Sequence, residues 1–165
     1  KKCHLQQWKA WQETKMAKAV TVLAPGASAE LKRSHNLDPQ KDYGGDAQCL
    51  TCHSTGFGRP GGYRVPSPGD AGAARAAEET SGVACESCHG PGSKFVPIHK
   101  DIQNNKRPYT QDELYAVGEF RVDVHVCAAC HDERAPCIGP GYVFDFAQRK
   151  EQGTHKHFDL QFRSK

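Results

Sequence analysis

Three times in this chain a cysteine is followed, two residues on, by a second cysteine and then directly by a histidine. The copies are Cys49-Leu50-Thr51-Cys52-His53, Cys85-Glu86-Ser87-Cys88-His89 and Cys127-Ala128-Ala129-Cys130-His131. This is the spacing that attaches a c-type haem. Two thiols must reach two vinyl groups on one porphyrin edge, and a two-residue spacer sets them that far apart. The adjacent imidazole then meets the iron as proximal ligand. The chain opens Lys1-Lys2-Cys3-His4, and a cysteine just before Lys1 would complete a fourth copy. The expectation is therefore four haem c groups, with the first attachment cysteine immediately upstream. Covalent attachment falls to Cys3, Cys49, Cys52, Cys85, Cys88, Cys127 and Cys130, and proximal ligation to His4, His53, His89 and His131. Paired cysteines also build zinc ribbons. Zinc does not require a histidine after every second cysteine, and here one follows all four times.

The chain holds nine histidines. Beyond the proximal four, His35, His99, His125, His155 and His157 are candidates for the distal face of an iron. Met16 is the only methionine. It is either a flexible gap-filler against a haem or a thioether ligand of the His/Met kind.

Composition limits the rest. At 165 residues the chain is one domain, spanning 1–165, and its 37% hydrophobic content with 16 Gly and 10 Pro is lean for an ordinary core. Apolar porphyrin plates change that balance, since side chains can wrap them instead of one another. The formal charge of +3 omits the haem propionates, so it argues for no nucleic-acid partner. No apolar run approaches the length of a membrane span. No signal peptide is visible, as expected of a trimmed mature chain. Covalent haem attachment occurs outside the cytoplasmic membrane, which predicts a soluble periplasmic or exported protein. Cys137 is left outside the motifs, and a buried, inert thiol is the preferred reading over a group near an open haem face.

The positioning elements read as mainly α with long loops and little β. Apolar residues at three- and four-residue steps predict a helix from Leu5 to Leu23, stopped by Pro25-Gly26. Short helices are predicted over 28–34 and 70–80. Thr110-Gln111-Asp112-Glu113 is a capping-box pattern opening a helix to about Val117. A helix over 144–160, interrupted at Gly153, is expected to carry His155 and His157. The one strand-like run is Gly62-Tyr63-Arg64-Val65.

Several stretches together resemble the cytochrome c-554 family. They are Trp11-x-x-Thr14-x-Met16-Ala17-Lys18-Ala19, Leu37-Asp38-Pro39 with Lys41-Asp42-Tyr43, and Gly56-Phe57-Gly58 with Gly61-Gly62-Tyr63. The most specific is Gly82-Val83 through Cys85-Glu86-Ser87-Cys88-His89-Gly90-Pro91-Gly92, with His99 beyond it, and the tail His155-x-His157-Phe158 is also similar. The resemblance covers the chain nearly end to end. It implies a compact multihaem fold and His99 as distal ligand opposite His4. It implies His155, with His157 as fallback, on one later haem, preferably that of His89. The first-helix position, here Met16 where the family usually carries His, then serves the haem of His131. The haem of His53 is left five-coordinate. His35 and His125 have no clear family counterpart; either closes that open site or, by preference, hydrogen-bonds a propionate.

The leading expectation is a periplasmic electron carrier. The resemblance implies a hydroxylamine oxidoreductase-like donor and a membrane quinone reductase or smaller cytochrome as acceptor. Reduction of a nitric oxide-type molecule at a five-coordinate haem is the rival. An electron-conducting subunit of a larger cytochrome complex or filament is a third reading.

Overall fold

The computed structural model describes residues 4–133, 135 and 141–164. Cys3 and Cys137 lie outside the described residues. Among those described, the chain is helix and loop, with strand-like pairing confined to isolated bridges at Ser54–Ser81 and Tyr109–Arg163. In chain order the helices are α1 (Leu5–Gln12), a 3-10 helix (Ala19–Leu23), α2 (Ala29–Ser34), α3 (Ala47–His53), α4 (Ala71–Thr80), α5 (Cys85–His89), α6 (Val96–Asn105), α7 (Gln111–Ala116), α8 (Val124–Ala128) and α9 (Phe146–Gly153).

The predicted first helix breaks in the middle. The Thr14 hydroxyl donates to the Trp11 carbonyl at 2.7 Å and accepts from the Ala17 N–H at 3.2 Å. A short hydroxyl side chain thus offers the backbone an alternative to the helical ladder, and a turn replaces the middle of the helix. The chain resumes as the 3-10 helix. The Gly62–Val65 run forms no strand: Gly62 closes a turn onto Arg59, and Tyr63 donates a single backbone bond to Thr55. Helix α9 ends at Gly153, so His155 and His157 follow it on non-helical backbone. Thr110 and Glu113 form the predicted capping box, and Asp46, Asp70, Asp123 and Asp145 each cap a helix through a side-chain oxygen, satisfying donors that the first turn leaves free.

Buried apolar side chains fall into two small groups. Leu23, Tyr43, Leu50, Tyr63 and Ala77 gather around α3. Ile102, Tyr109 and Leu114 join α6 to α7. The polypeptide exposes 11356 Å², against about 8,100 Å² for a compact monomer of this size. Side chains alone therefore do not close this fold. The excess is what a shell built to wrap large apolar plates requires.

Candidate functional site

Each complete motif occupies one helical turn. Its cysteines, three residues apart, share a face. Helix α3 carries Cys49, Cys52 and His53, and Asp46 caps it by accepting from the Gln48 N–H at 2.9 Å. Helix α5 is the third motif itself. It stops at Gly90, whose φ is 80°, in the left-handed region where a side chain is strained. A Cβ there would also come within 2.9 Å of the Phe120 ring. Helix α8 holds Cys127, and a further turn brings the His131 N–H back to the Cys127 carbonyl at 2.9 Å.

The motifs converge. Helices α5 and α8 pack on each other. The Cys130 thiol lies within hydrogen-bonding reach of Cys52, which draws Cys52 down to about 7 and pushes Cys130 up. Burial, then the neighbouring Cys127, raises Cys88. Second, third and fourth attachment points thus share one region.

Thr55 helps to bring them there. It is buried, two residues after His53. Its hydroxyl donates to the Gly82 carbonyl at 2.8 Å and accepts from the Ala84 N–H at 2.8 Å. The lead-in to the third motif is also held from the other side. The Trp11 indole N–H donates to the Val83 carbonyl at 2.9 Å, and the Val83 N–H donates to the Met16 carbonyl at 2.9 Å. Nothing in the sequence singled out Thr55, because its partners are backbone groups far along the chain.

The motif histidines are turned by what their Nδ1 atoms meet. Nδ1 of His53 is 2.6 Å from the Ala19 carbonyl. A carbonyl can only accept, so Nδ1 carries the proton and Nε2 is left as a lone-pair donor, the tautomer a metal needs. Nδ1 of His131 is 3.4 Å from the Tyr142 hydroxyl, and its ring stacks on Phe144 at 4.6 Å. Nδ1 of His89 faces a Glu119 carboxylate oxygen at 3.6 Å. Burial, and less strongly Arg149, lowers His131. Burial also lowers His4, followed by the adjacent His99. Depression by burial favours the neutral imidazole that ligation requires.

Of the distal candidates, His99 sits on α6 with its ring 5.9 Å from that of His4, edge to face. Two imidazoles on opposite sides of one metal, each bonded at about 2.0 Å, have ring centres about 6 Å apart. Helix α6 was not foreseen, and it is the element that delivers His99. His89, His155 and His157 form a second group, their ligating atoms all within 4.8 Å of one another. His155 is half-buried with Nδ1 on the Lys156 carbonyl at 2.8 Å; His157 is more exposed. The donor sets therefore fit a haem iron at both places.

Met16 is half-buried, and its backbone stands beside the approach to the third motif. His35 ends α2, and its N–H donates to the Leu31 and Lys32 carbonyls. His125 lies exposed in the first turn of α8. Among the described residues no helix is long and apolar enough to cross a membrane.

These features have counterparts in known proteins. The family described as cytochrome c554 and c-prime matches residues 1–90. Cytochrome c-554 of Nitrosomonas europaea is 32% identical over 181 aligned positions, covering 96% of this chain and 73% of that protein. The structure of the reduced state of cytochrome c554 from the same organism superposes with a TM-score of 0.83 at 31% identity, covering 99% of this chain and 86% of that one. With three intact attachment motifs converging, paired imidazoles set an iron's width apart and a mainly helical shell around them, the chain is a multihaem c-type electron-transfer cytochrome and belongs to the cytochrome c554 family, whose members bind four c-type haems.

Proposed function

We propose that this protein is a periplasmic electron carrier that accepts electrons from a hydroxylamine oxidoreductase-like multihaem enzyme. It passes them to a membrane quinone reductase or a smaller cytochrome. Haem supplies one-electron chemistry; the polypeptide sets geometry and potential. Haem c is bonded through Cys3, Cys49, Cys52, Cys85, Cys88, Cys127 and Cys130. His4, His53, His89 and His131 are the proximal ligands. His99 is distal to His4 and His155 to His89. Met16 completes the iron of His131, giving the raised potential of His/Met ligation. His53 has no distal partner.

The observation that carries this reading is the convergence of attachment cysteines, Cys52 beside Cys130 and Cys88 beside Cys127. Cofactors bonded at such neighbouring points lie close enough for electrons to hop without any protein group reacting. Docking to redox partners is expected to be transient, through small surfaces.

The test is rapid mixing of the oxidised protein with a hydroxylamine-oxidising multihaem enzyme and hydroxylamine, followed at the haem absorption bands. Fast reduction, slowed by salt, supports a carrier. Absence of reduction, together with turnover of nitric oxide by the chemically reduced protein, would instead establish the reductase reading.

A further inference from the structure

The third motif differs from the second and fourth in what stands behind its histidine. Ala19 offers His53 a neutral carbonyl and Tyr142 offers His131 a phenol. His89 is offered the carboxylate of Glu119, whose side chain is only 11% exposed. That carboxylate is held by its surroundings. The Glu119 N–H donates to the Leu114 carbonyl at 3.0 Å, and the next residue, Phe120, donates its N–H to the His89 carbonyl at 3.0 Å. The second carboxylate oxygen accepts from the Gln111 side-chain amide. Helix α7, Gly118 and the end of α5 together therefore fix a negative group behind the imidazole.

We infer that Glu119 is a positioning residue that sets the potential of the haem at His89 below those of the haems at His53 and His131. A carboxylate behind a ligating imidazole orients the ring and strengthens it as a donor. Stronger donation and a nearby negative charge both favour ferric over ferrous iron, and both act at short range from a carboxylate that is itself nearly buried. An electron reaching the third haem is thereby urged onward to its neighbours. The Glu119 carboxylate also reaches His4, as the least of the influences on that ring, so the first haem is the next to be affected. The inference rests on His89 being an iron ligand, as assigned above.

The experiment is a redox titration of the holoprotein in which NMR exchange spectroscopy follows each haem's methyl signals separately. In Glu119→Gln the ratio of reduced to oxidised third haem at fixed ambient potential rises about tenfold, equivalent to about 59 mV for one electron. The haem of His4 shifts less, and those of His53 and His131 least. In Gln111→Ala the carboxylate loses a competing donor, and the third haem moves the opposite way. The two variants thus carry opposite signs, which a general loosening of the fold would not produce. Four haems present with no shift at the third, an equal shift at all four, or the same sign in both variants would overturn the inference. Haem content is measured on the same samples by haemochrome assay and intact mass. Fewer than four haems in the unsubstituted protein would overturn the assignment beneath it.

Discussion

Thr55 is joined to Gly82 by a hydrogen bond of 2.8 Å, hydroxyl to carbonyl, across the interval between the second and third haem-attachment motifs. The same oxygen accepts from Ala84, directly before Cys85. One buried hydroxyl thus ties the end of the second motif to the lead-in of the third. Replacing Thr55 with Val keeps the shape but leaves the Gly82 carbonyl and the Ala84 N–H without this partner. The expected cost is about 2–6 kcal/mol, since each buried polar group left unpaired costs about 1–3 kcal/mol. Thermal unfolding of the holoprotein would check it, with Thr55→Ser retaining most of the stability. A valine variant as stable as the parent would show that water replaces the hydroxyl.

Gly82 has φ of 70°, and a Cβ there would run into the backbone carbonyl of Ala17. Gly82→Ala would combine left-handed strain of about 1–3 kcal/mol with a clash that no rotamer change relieves. The segment bearing Met16 would be pushed from the approach to the third motif. A drop in melting temperature is expected, with a change in the low-temperature EPR signal of a haem served from that segment. An unchanged EPR spectrum beside a lowered melting temperature would place Met16 outside the iron coordination.

His155 and His157 both come within reach of His89, but the less exposed His155 has its Nδ1 committed to a backbone carbonyl. His155→Ala is therefore expected to turn one low-spin haem high-spin, while His157→Ala leaves the spin states alone. EPR on the oxidised variants distinguishes them, and the reverse result would exchange the two roles. His99→Ala should release a different haem, the one facing His4.

Arg107 bridges Asp101 on α6 and Glu113 on α7, each at 2.9 Å. Bonds from Arg107 and then Asn105 lower Asp101; the Thr110 N–H and then Arg107 lower Glu113. A carboxyl depressed in the folded state contributes stability that is fully present above its unfolded value. That stability is lost as pH falls through the folded one. The window here lies below the ordinary values of 3.8 and 4.5. All three groups are solvent-exposed, so the effect is small and weakened by salt. Arg107→Ala should leave melting at neutral pH nearly unchanged and reduce the parent's advantage further as pH falls below 4.5. An equal loss at every pH would mean that Arg107 acts by packing.

Cys-x-x-Cys-His was legible because attachment chemistry is local: both thiols and the imidazole come from one turn of backbone, and no distant residue changes their spacing. The capping box at Thr110 and Glu113 was legible for the same reason. So was the mainly helical shell, because a lean apolar content and abundant Gly and Pro leave few residues to pack without cofactors. The break at Thr14, helix α6 beneath His99, and the failure of the last helix to resume after Gly153 were not legible. At Thr14 a hydroxyl overrode helical periodicity. Least legible were the groups that turn the ligands: the Ala19 carbonyl on His53, Tyr142 on His131 and Glu119 on His89. They are separated in sequence from the rings they meet, and a carbonyl or carboxylate acquires such a role only through the direction in which folding points it. Residue type and spacing determined that haem is bound; tertiary structure decided what stands behind each imidazole, because electrostatic influence depends on distance and burial.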